Sequence, residues 1–316
     1  MPTRLSIRGG EVVVFTRGDA EARGYSRRAR ENFLASGKWR RLRRGVYATV
    51  PQGRLFREEE HLVHLAGALL LAGKGWHASS WSALVAHGVP VYAHSLGRIH
   101  LTRDAEAYSH RASTSAVRIE RPLHGEEMWS PTVSRWGIPT VGVSGALCDF
   151  ARTARFVSAV TAADNALHKG FLRAEEFRQF ARLASGRGAG RLRKVAEFSD
   201  GRVESPGESR LRVLVREMGF RGTPQLSIRD GDGPEIYRAD LFVEVPGSRG
   251  LILEYDGRQK FSNVRGSSQW TEFERQASRD RGLAARGYRV MHVTAQDLAD
   301  PALLKSEIRT RLQSPV

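Results

Sequence analysis

Cysteine is nearly absent from this sequence of 316 residues. Its one copy, Cys148, excludes an internal disulfide and any cysteine-built zinc site. Cys148 lies in the apolar run Ala146-Leu147-Cys148-Asp149-Phe150 and reads as a small core residue. Long apolar runs are missing too. Val12-Val13-Val14-Phe15 is far too short for a signal-peptide core or a membrane span, so the expectation is a soluble, cytoplasmic protein with no membrane partner. Acid is in deficit: 34 Asp plus Glu stand against 50 Lys plus Arg, a net charge of +16. Such an excess favours a polyanionic partner, and nucleic acid is the commonest. Internal repeats are absent. Ser185-Gly186-Arg187-Gly188-Ala189-Gly190 lacks the Gly-Lys-Ser/Thr ending and the preceding strand of a phosphate loop, and reads as a flexible connection.

What is present points to an α/β multidomain protein. Residues 1–57 carry 14 Lys plus Arg against 4 Asp plus Glu, a local balance of +10. Residues 58–198 alternate helical stretches with short extended pieces, a mixed α/β middle region. Residues 199–207 are rich in Gly, Pro, Ser and Asp and read as a linker. Residues 208–316 form a compact α/β unit.

In the basic segment, Thr16 can cap a helix running to about Arg23, and Gly24-Tyr25 supplies a tight turn. Ser26 caps a second helix from Arg27 to about Ser36, which Gly37 stops. Ala29, Phe33 and Leu34 give this helix an apolar side and leave Arg27, Arg28 and Arg30 for solvent or ligand. Two short strands then flank an Arg-Arg-Gly turn in Trp39-Arg40-Arg41-Leu42-Arg43-Arg44-Gly45-Val46-Tyr47. Helix, turn, helix and basic hairpin is the order of a winged helix-turn-helix. A helix of this kind fits the major groove of double-stranded DNA, where Arg reaches guanine edges. Arg40, Arg41, Arg43 and Arg44 suit phosphates or the minor groove. The plainer alternative is a solvated basic face on a small helical domain, and the charge alone also allows RNA.

Residues about 9–50, from Thr16-Arg17-Gly18-Asp19-Ala20 through Trp39 to Tyr47, resemble the winged-helix domain of AbiEi-type antitoxins of type IV toxin–antitoxin systems. The resemblance implies operator binding, autorepression and a toxin as possible protein partner.

In the middle region, Glu58 to Leu71 reads as a helix and Trp76 to Leu84 as the start of the next. His77, Ser79 and His87 have no acidic orienting partner or nucleophile elbow, so capping by Ser79 or Ser80 and packing of the Trp residues account for them. His61 and His64 do not make the His-Glu-x-x-His zinc pattern. Arg98–Leu101 and Val117–Ile119 read as strands, and 144–152, 156–168 and 174–183 as helices. The segments His77 to Leu84 and His87-Gly88-Val89-Pro90 resemble the extended AbiEi-like family, and the region reads as a scaffold or partner-binding layer.

The last hundred residues read α-β-β-β-α-β-α. Leu211, Leu214, Val215 and Met218 share one face of the first helix. Asp240 interrupts the strand Tyr237 to Val243, and Glu254 and Asp256 lie two apart on the apolar strand Leu251 to Asp256, so both point to one face. Charges in a sheet need partners. A divalent cation such as Mg²⁺ (or Mn²⁺) is one, and it would activate water and neutralise a scissile phosphate, with Lys260 beyond the Gly257 turn steadying either. The alternative pairs Asp240 with Arg238 or Arg279 and leaves Glu254 and Asp256 on a solvated strand end.

The stretch from Glu208-Ser209-Arg210 through Arg238-Ala239-Asp240, Leu253-Glu254-Tyr255-Asp256-Gly257-Arg258-Gln259-Lys260-Phe261 and Arg279-Asp280-Arg281 to Gly287-Tyr288-Arg289-Val290 resembles the very-short-patch-repair-endonuclease-like domain of the PD-(D/E)XK superfamily. That resemblance implies Asp240 and Glu254 as metal ligands, Glu208 as the helix acid near the metal and Asp256 as an accessory acid. The chain departs from the pattern where Asp256 stands in place of the Lys of a Glu-x-Lys pair. Two functions follow as expectations: a metal-dependent DNA endonuclease, or a non-enzymatic AbiEi-like antitoxin and autorepressor with a degenerate nuclease fold.

Overall fold

The computed structural model describes residues 1–103, 116–119, 131–229, 235–245, 249–257 and 267–313, with side chains from Glu274 onward in the helix that begins at Ser267. The chain divides into two compact units, 1–162 with 171–197, and 163–170 with 198–316.

The first unit opens on a hairpin, β1 (Thr3–Ile7) and β2 (Gly10–Thr16), which was not expected from the sequence. Then come α1 (Arg17–Ala22), α2 (Arg27–Ala35), β3 (Trp39–Arg43) and β4 (Val46–Thr49). Local signals explain the helices. Thr16 accepts from the Asp19 amide, and the Asp19 carboxylate accepts from the Thr16 amide, a reciprocal cap. Ser26 accepts from the Ala29 amide and starts α2, and Gly37, at φ 71°, follows its end. Among the described residues the sheet order is β1-β2-β4-β3. Alternation along β2 and β4 gives this sheet two faces. On one, Phe15, Tyr47 and Trp39 form an aromatic core with Tyr25 and Phe33, and the Phe33 and Trp39 rings stack at 4.6 Å. On the other lies α3 (Arg57–Ala72). Gly67 allows its close approach, since a Cβ there would sit 3.2 Å from both Leu42 and Val46 side chains. The arrangement is consistent with a winged helix, and α3, past residue 57, packs on the same sheet.

There follow β5 (Trp76–Ala78), α4 (Ser80–His87), β6 (Ile99–Arg103), β7 (Val117–Ile119), β8 (Pro131–Val133) and β9 (Pro139–Val141), giving the sheet order β7-β6-β5-β9-β8. Trp76–Ala78 is thus a strand where a helix start was expected, because its backbone pairs with β6. Ser79 occupies the N-cap of α4 without a side-chain capping bond, which corrects the capping role given to it. The helices α5 (Val143–Thr153), α6 (Phe156–His168), α7 (Ala174–Leu183) and α8 (Ala189–Phe198) follow. Arg152 donates to the carbonyls of Ser185 and Arg187, so the 185–190 connection is tied to α5. Cys148 is fully buried, as a core residue should be.

The second unit contains α9 (Pro206–Glu217), β10 (Gly222–Arg229), β11 (Glu235–Val243), β12 (Leu251–Asp256), α10 (Ser267–Ala284), β13 (Arg289–Thr294) and α11 (Pro301–Gln313), with a short 3-10 turn at Asp297–Ala299. Among the described residues the sheet runs β10-β11-β12-β13, antiparallel except for the parallel pair β12 and β13. Leu211, Leu241, Leu253, Leu304 and Ile308 anchor one apolar cluster, and Ile252 and Leu283 belong to another. The 199–207 segment, expected to be a linker, is packed: Val203 is buried and the Asp200 amide donates to Asp164 at 2.8 Å. Asp164 also takes two bonds from Arg212 and one from the Ser209 hydroxyl, a buried ion pair with its lone pairs filled.

Candidate nucleic-acid interface and acidic centre

The seven arginines singled out in the basic segment fall into different environments. Arg28, Arg41 and Arg44 are exposed and make no hydrogen bond or ion pair among the described residues. Arg27 is exposed and leans on Glu31, one turn along α2, at 2.9 Å. These four offer charge to a ligand. Arg30 does not. It is only 6% exposed, donates to the Tyr25 carbonyl at 2.8 Å and pairs with Glu21 at 3.1 Å. The reason is helical spacing: Arg30 shares the inward face of α2 with Phe33 and Leu34, three and four positions on. Arg40 is committed as well, gripping the Glu60 carboxylate with two bonds. Arg43 is half-buried, and that burial pushes its pKa down.

Two middle-region histidines, His61 and His87, are engaged in hydrogen bonds within the fold. His61 is buried, with Nδ1 donating to the Leu96 carbonyl and Nε2 facing the Ser82 hydroxyl at 2.9 Å. Ser82 accepts from the His100 amide, so its own proton goes to His61 Nε2. Burial holds His61 neutral, its pKa near 4. His87 Nε2 contacts the Val141 carbonyl and the Thr140 hydroxyl.

In the second unit, Ser205 caps α9 and sets Glu208 in its first turn, buried. Glu208 Oε2 accepts from the Glu204 amide and from Gln225 Nε2, both at 3.0 Å. Gln225 also reaches Asp240 Oδ1 at 3.5 Å. Its backbone sits at φ 51°, a left-handed conformation unusual in a strand. Asp240 Oδ2 accepts from the Tyr255 amide, and Glu254 Oε1 accepts from the Asp240 amide. The Tyr237 hydroxyl bonds Glu254. Burial, and then the Asp240 charge, push Glu254 up to about 7. Burial raises Glu208 as well. Asp256 takes a different course: it pairs with His292 Nδ1 at 3.0 Å, while His292 Nε2 meets Asp280 at 3.0 Å. Those carboxylates hold the imidazole above its ordinary pKa, with the Asp256 bond the largest cause.

Glu208, Asp240 and Glu254 are therefore brought into one network, with Asp256 joined to a neighbouring relay. Arg238, one of the two arginines that the plainer alternative pairs with Asp240, forms an ion pair with Glu204 at 2.9 Å. Lys260 lies outside the described residues. Among the described residues no three His, Cys, Asp or Glu side chains converge closely enough to hold a metal ion. Gln225 and the Tyr255, Asp240 and Glu204 backbone amides donate hydrogen bonds to these acids. Sequence reasoning missed Gln225, Tyr237 and His292. Only the sheet register, which sets Glu254 opposite His292, could have singled out the last.

Residues 9–50 match the family described as transcriptional regulator, AbiEi antitoxin. The N-terminal part is thus AbiEi-like, and the match spans β2, α1, α2 and the β3–β4 wing, leaving β1 outside it. Among solved structures, the RV2827C protein from Mycobacterium tuberculosis is similar at 16% identity, covering 63% of this chain and 74% of that one, with a TM-score of 0.40. No curated protein matches the chain. No helix of the described residues is long and apolar enough to cross a membrane.

Proposed function

We propose that the chain is a DNA-binding transcriptional regulator of the AbiEi antitoxin kind, which docks α2 and the β3–β4 wing on double-stranded operator DNA. One observation carries this reading: the AbiEi-like segment coincides with the module that exposes Arg27, Arg28, Arg41 and Arg44. Each arginine that neutralises a phosphate releases counterions, which makes affinity fall with salt. A toxin is the protein partner this reading supplies, and the remainder of the chain is where it would be held.

Mobility-shift titrations test the proposal with DNA from the chain's own promoter against scrambled duplex. Preferential binding of the promoter, lost in an Arg27→Ala, Arg28→Ala, Arg41→Ala triple variant, is expected. Equal binding to every duplex would overturn it.

The acidic centre belongs to the same reading as a non-cutting module. Incubation of plasmid or linear DNA with protein and Mg²⁺ or Mn²⁺ is expected to leave the DNA intact. Cutting by the wild type, absent in Asp240→Ala and Glu254→Ala, would replace this reading with a phosphodiester hydrolase built on Glu208, Asp240 and Glu254.

A further inference from the structure

Behind the wing, between β3 and α3, lies a cleft of about 670 Å³, a size that accommodates a small organic molecule. Leu42, Leu96 and Ile99 supply apolar wall, and Arg43, Arg57 and His64 supply the polar part. Their charges are unequally satisfied. Glu60, the one acid of the lining, already takes two bonds from Arg40 and one contact from His64 at 3.1 Å. Arg57 is occupied by Glu58 and by the Val91 and His94 carbonyls. Arg43 is different. Its guanidinium is half-buried and has no hydrogen-bond or ion-pair partner among the described residues. A guanidinium stays charged at any working pH, so partial burial without an anion is unfavourable. Burial already depresses its pKa, in line with an unmet charge.

We propose that this cleft binds a small organic anion, with Arg43 taking the carboxylate or equivalent group and Leu96 and Ile99 taking the apolar body. Inorganic anions fill only the polar end and leave the apolar wall wet. Arg43 thus differs from Arg41 and Arg44, which are exposed on the same hairpin. Leu42 and Arg43 line the cleft while Arg41 and Arg44 face out of the same hairpin, so an occupied cleft holds the strand that presents the DNA-facing charges. The binding claim stands apart from the DNA-binding reading, and only this consequence rests on it.

Isothermal titration calorimetry on the full chain tests the binding claim with 4-phenylbutyrate, its neutral amide and inorganic phosphate as probes. The wild type and Arg41→Gln should bind the carboxylate alike. Arg43→Gln should bind it about tenfold more weakly or worse, the scale of one charge-assisted hydrogen-bonded contact. Leu96→Asp, which places a like charge on the apolar wall and keeps Arg43, should weaken carboxylate binding as well. The amide and phosphate should bind more weakly than the carboxylate. No heat from the wild type at millimolar carboxylate, or equal affinity in Arg43→Gln, overturns the site. Phosphate binding as tightly as the carboxylate overturns the organic class. A promoter-DNA titration in parallel separates this from the DNA reading: Arg43→Gln should keep its DNA affinity and Arg41→Gln should lose it. Loss of DNA affinity in Arg43→Gln, with unchanged carboxylate affinity, makes Arg43 a DNA contact and overturns the assignment.

Discussion

Arg40 on the wing strand and Glu60 on α3 form a two-pronged ion pair, with N–O distances of 2.7 and 2.9 Å. It ties β3 to the helix on the other side of the sheet. A residue that reads as a phosphate contact in the sequence is instead a brace.

That brace should contribute little to global stability, because both side chains are about a third exposed. A double-mutant cycle with Arg40→Ala and Glu60→Ala should give a coupling of about 1 kcal/mol or less. Its effect on the wing should be larger. Either variant breaks the pair, so promoter affinity should fall alike in Glu60→Ala and Arg40→Ala. A fall in mobility-shift titrations confined to Arg40→Ala would make Arg40 a DNA contact instead of a brace.

Arg30 and Arg28 sit two residues apart and should fail in different ways. Arg30→Ala removes a buried guanidinium from Glu21 and the Tyr25 carbonyl. It should cost about 1–3 kcal/mol, read as a lower thermal midpoint. Arg28→Ala should leave that midpoint alone and reduce the slope of log affinity against log salt by about one. The two phenotypes exchanged would show that the inward face of α2 has been wrongly identified.

Glu254 should make the second unit less stable as pH rises from acid to neutral. Its folded pKa, about 7, lies above the 4.5 of a free glutamate. A raised carboxyl pKa contributes stability that is fully present below the unfolded value and lost as pH rises through the folded one. The window is therefore about pH 4.5 to 7, and the loss is on the order of 3 kcal/mol. Glu254→Gln should flatten this stretch of the profile in urea titrations. Stability that rises across the window in the wild type, or the same fall in Glu254→Gln, would contradict the assignment.

Asp164 and Arg212 form the buried pair in which neither partner tolerates loss of the other. Asp164→Asn should destabilise by roughly 3–5 kcal/mol, because it leaves a buried guanidinium unneutralised. Replacing both by Leu and Met should recover much of that loss. Chemical denaturation of the single and double variants checks both statements, and a double variant less stable than Asp164→Asn would refute the second.

Gly207 marks the close contact between α9 and β12, where a Cβ would overlap the Tyr255 ring. Gly207→Ala should therefore cost about 1–3 kcal/mol despite the better helix propensity of alanine. Tyr255→Leu in the same background should restore part of it, measured by thermal melts.

The sequence by itself determined the local order of both ends of the chain. Thr16 and Ser26 cap the first two helices, and Gly24 and Gly37 lie in the turns that follow them, because capping bonds close within three residues. The α-β-β-β-α-β-α order of the last hundred residues was legible from its apolar periodicity, for the same reason of short range. Tertiary structure decided what each charged group does. Arg40 meets Glu60 twenty residues away, and Arg212 meets Asp164 forty-eight away. Glu208 and Asp240 are joined through Gln225, whose left-handed backbone no short-range signal announces. Arginines that look alike in the sequence diverge on folding: Arg28 faces solvent, Arg30 turns inward, Arg40 braces a helix and Arg43 lines a cleft. A side chain's local pattern sets the direction it leaves the backbone, but its electrostatic role depends on which distant group folding brings to it.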